Sequence, residues 1–300
     1  MSAATLVTQL LNGVSLIAIL ILVALGLAII FGLMGVINMA HGELFTIGAY
    51  ALVAVSNLGG FWAGVLLAPV VGAVVGIALE RGVVQFLYTR PIETILATWG
   101  ISLILQQGIE FIFGTAPQAV PNPFPGAISV FGIVDYPVYF PGAISVFGIV
   151  DYPVYRLFIL MAGVVITAAT FFVFLRTEFG LMARAVIQNR EIAAAIGINT
   201  DRIYVVAFAL GAALAALAGA LMAPLINVLP LMGVSFLARS FFVVIVGGAG
   251  NLLGVVGGSV LIGGLETLFS SLWSVTLAQA LVLVIAIVIV RFRPTGLFAG

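Results

Sequence analysis

"RTEFGLMARAVIQNREIAAAIGINTDR", Arg176 to Arg202, is the longest polar-rich interval in an otherwise apolar chain. Four of the ten arginines fall in it (Arg176, Arg184, Arg190 and Arg202), interleaved with Glu178, Glu191 and Asp201. Its middle, Gln188 to Ile196, favours helix, and Gly197 stands where a C-terminal glycine would stop that helix. About ten helical residues are too few for a bilayer that needs ~20. The interval therefore predicts a short charged helix on a membrane surface, between two long apolar spans and placed to touch something outside the chain.

Composition says why the rest is membrane. With 64% hydrophobic and 7% charged residues and a mean hydropathy of +1.36, the chain is far from the ~25% charged of soluble domains. Residues 1–300 read as a single integral membrane domain, an all-α polytopic bundle of eight or nine spans. Zero net charge gives no ground for a nucleic-acid partner. No lysine is present, so no phosphate-binding loop ending in Gly-Lys-Ser/Thr exists, and ATP, if used, binds another polypeptide. No basic residue precedes Arg81, which argues against a cleaved signal peptide. Without cysteine, and with His41 alone of its kind, neither disulfides, a zinc site nor a catalytic nucleophile–base set is expected.

Apolar runs cover 9–34, 44–58, 61–79, 93–114, 157–175, 203–225 and 275–290, while 234–270 is cut by "GGAGN" (Gly247 to Asn251) into two short spans. Positive charge collects on cytoplasmic loops, which places Arg81, Arg90, the 176–202 interval, Arg291 and Arg293 inside and the 115–155 loop, with Asp135 and Asp151, outside. Three spans before Arg81 put the N-terminus outside. If the glycine-rich "FGLMGVINMAHGE" (Phe31 to Glu43) breaks a helix without crossing, it lies inside. Residues 124–139 and 140–155 are the same sixteen residues, "FPGAISVFGIVDYPVY", and read as an insert without its own role that a solvated loop tolerates. A fainter likeness joins "ALGLAIIFGLMGVIN" (Ala24 to Asn38) to "ALGAALAALAGALMAPLIN" (Ala209 to Asn227); in the nine-span arrangement the two run in opposite senses, as inverted repeats do.

Polar residues inside the spans are the candidates for a translocation path. His41 and Glu43 flank a glycine break, as a proton relay or as a pair at a helix end facing water. Thr94, Thr98, Ser102, Gln106 and Glu110 recur every fourth residue and reach ~24 Å along a helix, but each step overshoots a turn, so the stripe winds through ~160°. Thr98, Ser102 and Gln106 suit a polar lining or ordinary interhelical hydrogen bonds. Asn38, Asn227 and Asn251 lie near the proposed breaks and need partners if buried.

Three stretches together carry a resemblance: "FGLMGVINMAHGELFTIGAY", "IETILATWGISLILQQ", and "ARAVIQNREIAAAIGINTDRI" followed by "VGGAGNLLG". They are similar to the permease subunits of branched-chain amino acid ABC importers, with ATWGISLILQQ and IQNRE closest in look to the urea-transport branch. The resemblance spans nearly the whole chain, including "RPTGLF" near its end. It implies a multi-pass bacterial inner-membrane permease, without a cofactor of its own, that pairs with a second permease, two ATPase subunits carrying ATP and magnesium, and a periplasmic binding protein. It further implies that 176–202 holds the ATPase-coupling helix, with Arg184, Gln188, Asn189, Arg190, Glu191, Ala193, Ala194 and Gly197 as its contact set. "EIAAAIG" departs from the family spacing by one position before Gly197. Small residues at Ala193 to Ala195 let the helix seat in a partner's groove, and Arg184, Arg190 and Arg202 are expected to pair with acids around it. Two other readings stay open: a proton-coupled secondary transporter using His41 and Glu43, and a passive urea-type channel.

Overall fold

The computed structural model describes residues 3–88, 90–124, 127–132, 143–293 and 295–298. Its helices are α1 (Ala3–Met34), α2 (His41–Gly82), α3 (Pro91–Phe113), α4 (Val154–Arg176), α5 (Glu178–Gln188), α6 (Arg190–Ala195), α7 (Thr200–Met222), α8 (Met232–Gly247), α9 (Leu252–Leu272) and α10 (Val275–Phe292). Within the 115–155 loop, β1 (Ala127–Gly132) and β2 (Ala143–Pro153) set the same stretch of the two sixteen-residue copies side by side, Ile128 opposite Ile144. The rest of the duplication, 133–142 included, lies outside the described residues.

From Leu16 to Met34 α1 is apolar on every side, and a helical stretch without a polar face belongs at the centre of a bundle. Ile19, Leu22, Val23, Leu25, Leu27 and Ile30 are all buried there. α7, rich in alanine and glycine, makes its broadest contact with α2. A Cβ on Gly48 would overlap the Ala216 carbonyl, and one on Gly219 would overlap the carbonyl of Phe45. Small residues let backbones approach where lipid offers no hydrophobic drive between helices.

Two ends of the bundle are defined by its cross-links. At one, Arg156 donates to Ser15 Oγ (2.9 Å), Tyr155 Oη to the Leu221 carbonyl (2.7 Å), and Gln118 pairs its backbone with Val228. At the other lie the α5–α6 elbow, the approach of Gly32 to Gly250, and the bond from Leu297 N to Val246 O (2.8 Å). Arg81, Arg90, Arg176, Arg184, Arg190, Arg202, Arg291 and Arg293 belong to this second end, which makes it cytoplasmic.

Seven described segments are long and apolar enough to cross a membrane, Thr8–Met34 and Gly60–Phe86 first among them. Two further passages are broken. After α1 descends to Met34, the chain turns back through 35–40, and α2 begins where His41 Nε2 donates to the Val23 carbonyl at 3.1 Å. Val23 is eleven residues, or ~17 Å of helix, above Met34. α2 therefore starts at mid-depth, runs outward, and reverses at Gly60, whose φ of 75° suits glycine. The second broken passage, 223–231 followed by α8, does the same in the opposite direction. Among the described residues nine passages result, with the start of α1 outside.

These two breaks meet. A Cβ on Gly42 would overlap the Gly233 carbonyl and one on Gly233 that of Gly42; Gly26 and Gly211 block each other in the same way. Such reciprocal contact marks a close antiparallel crossing, here of α1 with α7 and of α2 with α8. It pairs Ala24-Leu25-Gly26 with Ala209-Leu210-Gly211, the positions matched by the faint sequence repeat. The two halves are thus built as inverted units.

Gly219→Val should therefore cost more than the ~1–3 kcal/mol typical of overpacking, because backbone stands on both sides. Gly108→Ala, where a Cβ meets nothing within 4 Å, should be neutral or slightly stabilising. Thermal unfolding of the two detergent-solubilised variants, compared with the parent chain, checks both.

Candidate functional site

The cytoplasmic elbow is built by capping. Thr177 Oγ1 accepts from Gly180 N (3.3 Å) and starts α5; Asn189 Oδ1 accepts from Ile192 N (3.0 Å) and starts α6; Asn199 Oδ1 accepts from Arg202 N (3.0 Å) and starts α7. α6 ends in a two-bond cap, Ile198 N to Ala193 O and Gly197 N to Ala194 O, both 3.0 Å. Gly197 takes φ of +94° there, as the sequence requires. The continuous helix expected over Gln188–Ile196 is not what forms. Gln188 ends α5 and Asn189 is extended (φ −159°, ψ 110°), because its side chain is better used capping the six-residue helix that follows.

Within the chain the arginines of this interval take different partners. Arg190 pairs with Asp201 of the same chain (3.1 Å), and its guanidinium lies 5.5 Å from the Tyr88 ring centroid and 5.0 Å from that of Tyr204. Tyr88 donates to Glu80; burial first and that bond second push its phenol far above the ordinary range. Arg184 donates to the Phe174 carbonyl. Both arginines therefore brace the elbow against the bundle, while Arg202 stays exposed. Ala193 is buried beneath α6. What faces outward is Glu191, Ala194, Gly197 and, more tellingly, Ile192 and Ile196, 61% and 71% exposed and one turn apart.

A second assembly surrounds the break at 35–40. Asn38 Oδ1 accepts from Ala40 N (3.0 Å), and Thr98 Oγ1 accepts from Met39 N (3.1 Å). Irregular backbone survives at membrane depth only with such partners. Glu43 Oε1 accepts from Gln106 Nε2 (2.7 Å) and Ser102 Oγ (3.1 Å). Thr94, Thr98, Ser102 and Gln106 form the buried stripe of α3, while Glu110, at the end of the series, has wound off it and meets Gln107 instead. The stripe fastens α3 to the break. Among the described residues Asn38 Nδ2, His41 Nδ1 and Glu43 Oε2 are buried without a partner.

The other two asparagines are not part of this assembly. Asn251 caps α9 at Gly254 N (3.1 Å) and donates to the Phe298 carbonyl (2.6 Å), at the cytoplasmic end. Asn227 lines a cavity of about 640 Å³ in the outer half. That cavity also holds a pair that sequence reading passed over, Arg239 and Glu266, 3.1 Å apart. An arginine and a glutamate in one 37-residue apolar stretch, 234–270, were signal enough.

Over residues 9–291 the chain matches the protein family described as branched-chain amino acid transport system, permease component. It is 29% identical to the high-affinity branched-chain amino acid transport system permease protein LivH of Escherichia coli K12, over 96% of this chain and 94% of that one. Identity to the corresponding permease protein BraD of Pseudomonas aeruginosa is 27%, over 96% and 94%. A probable branched-chain amino acid transport permease protein of Methanocaldococcus jannaschii is 26% identical over 84% of this chain and 77% of its own. No solved structure matches.

Glu43→Leu should destabilise the protein by about 1–3 kcal/mol for each of the two donors it strands. Glu43→Gln keeps the accepting oxygen and should stay within about 1 kcal/mol of the parent. Equal melting temperatures for the two variants would show that the network does not hold the break.

Proposed function

Because the chain belongs to the family of branched-chain amino acid transport system permease components, and is a non-enzymatic, multi-pass transport subunit of the bacterial inner membrane, we propose that it is a permease subunit of an ATP-driven importer for aliphatic amino acids. Its partners in this reading are a second permease, two ATPase subunits that bind ATP and magnesium, and a binding protein that delivers solute to the outer face. The observation that carries it is the outward pair Ile192 and Ile196 on a rigidly capped helix at the cytoplasmic end. Two isoleucines held in water one turn apart are a helix-in-groove anchor awaiting its groove.

The elbow is also built to pass a displacement on. Arg190 ties α6 to Tyr88, in the turn between α2 and α3, and to Tyr204 in the first turns of α7. A push on α6 by closing ATPases reaches α7, and through its backbone contacts with α2 it reaches the two mid-depth breaks. Exchange between outward-open and inward-open states would then be a rocking of the two inverted units.

The solute assignment rests on what the relatives are named for, and the urea or short-amide reading on the likeness of ATWGISLILQQ. The test is co-purification with the neighbouring ATPase, together with uptake of radiolabelled leucine and urea. Burying an exposed isoleucine is worth ~1.5–3 kcal/mol, so Ile192→Asp with Ile196→Asp should cut ATPase retention at least about tenfold. Arg190→Leu should retain the ATPase but lose most ATP-dependent uptake, since it breaks transmission and leaves the anchor. Uptake that follows the proton gradient and fails in Glu43→Gln would replace this reading by a secondary transporter. Uptake that needs neither ATP nor a gradient would replace it by a channel, and urea uptake in place of leucine would move the solute to amides.

A further inference from the structure

Ionised side chains inside a membrane are costly and mark function by default. Arg239 sits midway along α8, and Glu266 stands fourteen residues from the cytoplasmic start of α9. That puts Glu266 ~21 Å up its helix, just outward of the middle of a ~30 Å hydrocarbon layer. Arg239 lies about 10 Å inward of the mid-depth start of α8, so the pair bridges the middle of the membrane. The pair is not sealed in packed core: the two side chains are 26% and 18% exposed. Above them lies the cavity of about 640 Å³, reaching Val275 at the outer start of α10. On the α10 side a second cavity of about 240 Å³, lined also by Gln279, Ala280, Val282 and Leu283, reaches a turn deeper to Phe242 and Ile262 and shares Arg239, Glu266 and Ser235 with the first. The ion pair is the partition between them. The larger volume falls within the ~300–1,000 Å³ usual for small-molecule sites.

We propose that Arg239 and Glu266 are a solute-binding station for zwitterionic aliphatic amino acids at the mid-membrane floor of the outer cavity, the guanidinium taking the α-carboxylate and the carboxylate taking the α-ammonium. The proposal rests on the importer reading and assigns its solute a place. The two side chains satisfy each other through one contact, with Gln279 Nε2 adding a bond to Glu266 at 3.3 Å and the Phe236 ring 5.4 Å from the guanidinium. A zwitterion entering between them replaces that contact with two, and leaves the net charge of the cavity at zero. A ligand with one charge strands the opposite partner in a low-dielectric site. A neutral amide gains only uncharged hydrogen bonds. Leu16, Leu20 and Phe236 on the same wall receive an apolar side chain. The site therefore selects by charge pattern and leaves finer discrimination to delivery.

The chain has no cysteine, so Ser235→Cys creates a single reporter on both cavities. The full-length chain carrying it, in lipid nanodiscs without ATPases or ATP, is labelled with a membrane-impermeant methanethiosulfonate. L-Leucine at about twice its Kd should slow labelling about threefold by mass action. 3-Methylbutylamine, which lacks the carboxylate, and 4-methylpentanoate, which lacks the ammonium, should not protect at the same concentration. Adding Arg239→Gln and Glu266→Gln together should leave the cysteine reactive but abolish leucine protection. Should Ser235→Cys not fold, Thr267→Cys on the outer cavity's α9 wall is the second reporter. Protection by the amine, the acid or urea equal to that by leucine overturns the proposal, as does protection surviving the double variant, which would leave the pair a mere helix clasp. No protection by leucine in a chain that still supports ATP-dependent leucine uptake sinks the station and spares the importer reading. Protection that persists while the ATPase fails to bind does the reverse.

Discussion

Everything in this bundle depends on two backbones touching where no side chain intervenes. Gly42 against Gly233 and Gly26 against Gly211 bring the two inverted halves together at mid-depth. Lipid offers no hydrophobic drive for helices to associate, so close backbone packing must supply the attraction. The same closeness lets two helices be interrupted inside the membrane. Each freed carbonyl and amide then needs a partner from the neighbouring helix, and at the first break α3 supplies it through Thr98.

That arrangement explains why polar groups at membrane depth fall into two kinds. Ser102, Gln106 and Glu43 are buried and mutually bonded, Thr98 beside them accepts from Met39 N, and together they hold a break in place. Arg239 and Glu266 face cavities and hold each other. The first kind is glue. The second has room beside it for something else, which a packed interior denies.

The cytoplasmic elbow follows a comparable division of labour. A six-residue helix has little stability of its own. Asn189, the Gly197 turn, buried Ala193 and the stacking of Arg190 on two tyrosines make it a stiff attachment to α7. Arg190 and Arg184 contribute to that stiffness through contacts within the chain, and Ile192 and Ile196 are left exposed.

Composition and local pattern were enough for much of this. Apolar runs, the GGAGN cut, the arginine bias and Gly197 are properties of short windows, so span positions, sidedness and the helix stop follow from the chain alone. The ALG repeat hinted at inversion, though alanine- and glycine-rich helices resemble one another by chance. Only the tertiary structure decided the rest. Whether 35–40 crosses or folds back depends on His41 finding Val23, and whether Thr98 to Gln106 line a path or fasten a helix depends on Glu43 sitting opposite them. Arg239 and Glu266 are 27 residues apart and mean little until α8 and α9 lie side by side. Pairings between distant residues are set by helix packing across the bundle, and no local window of sequence contains that information.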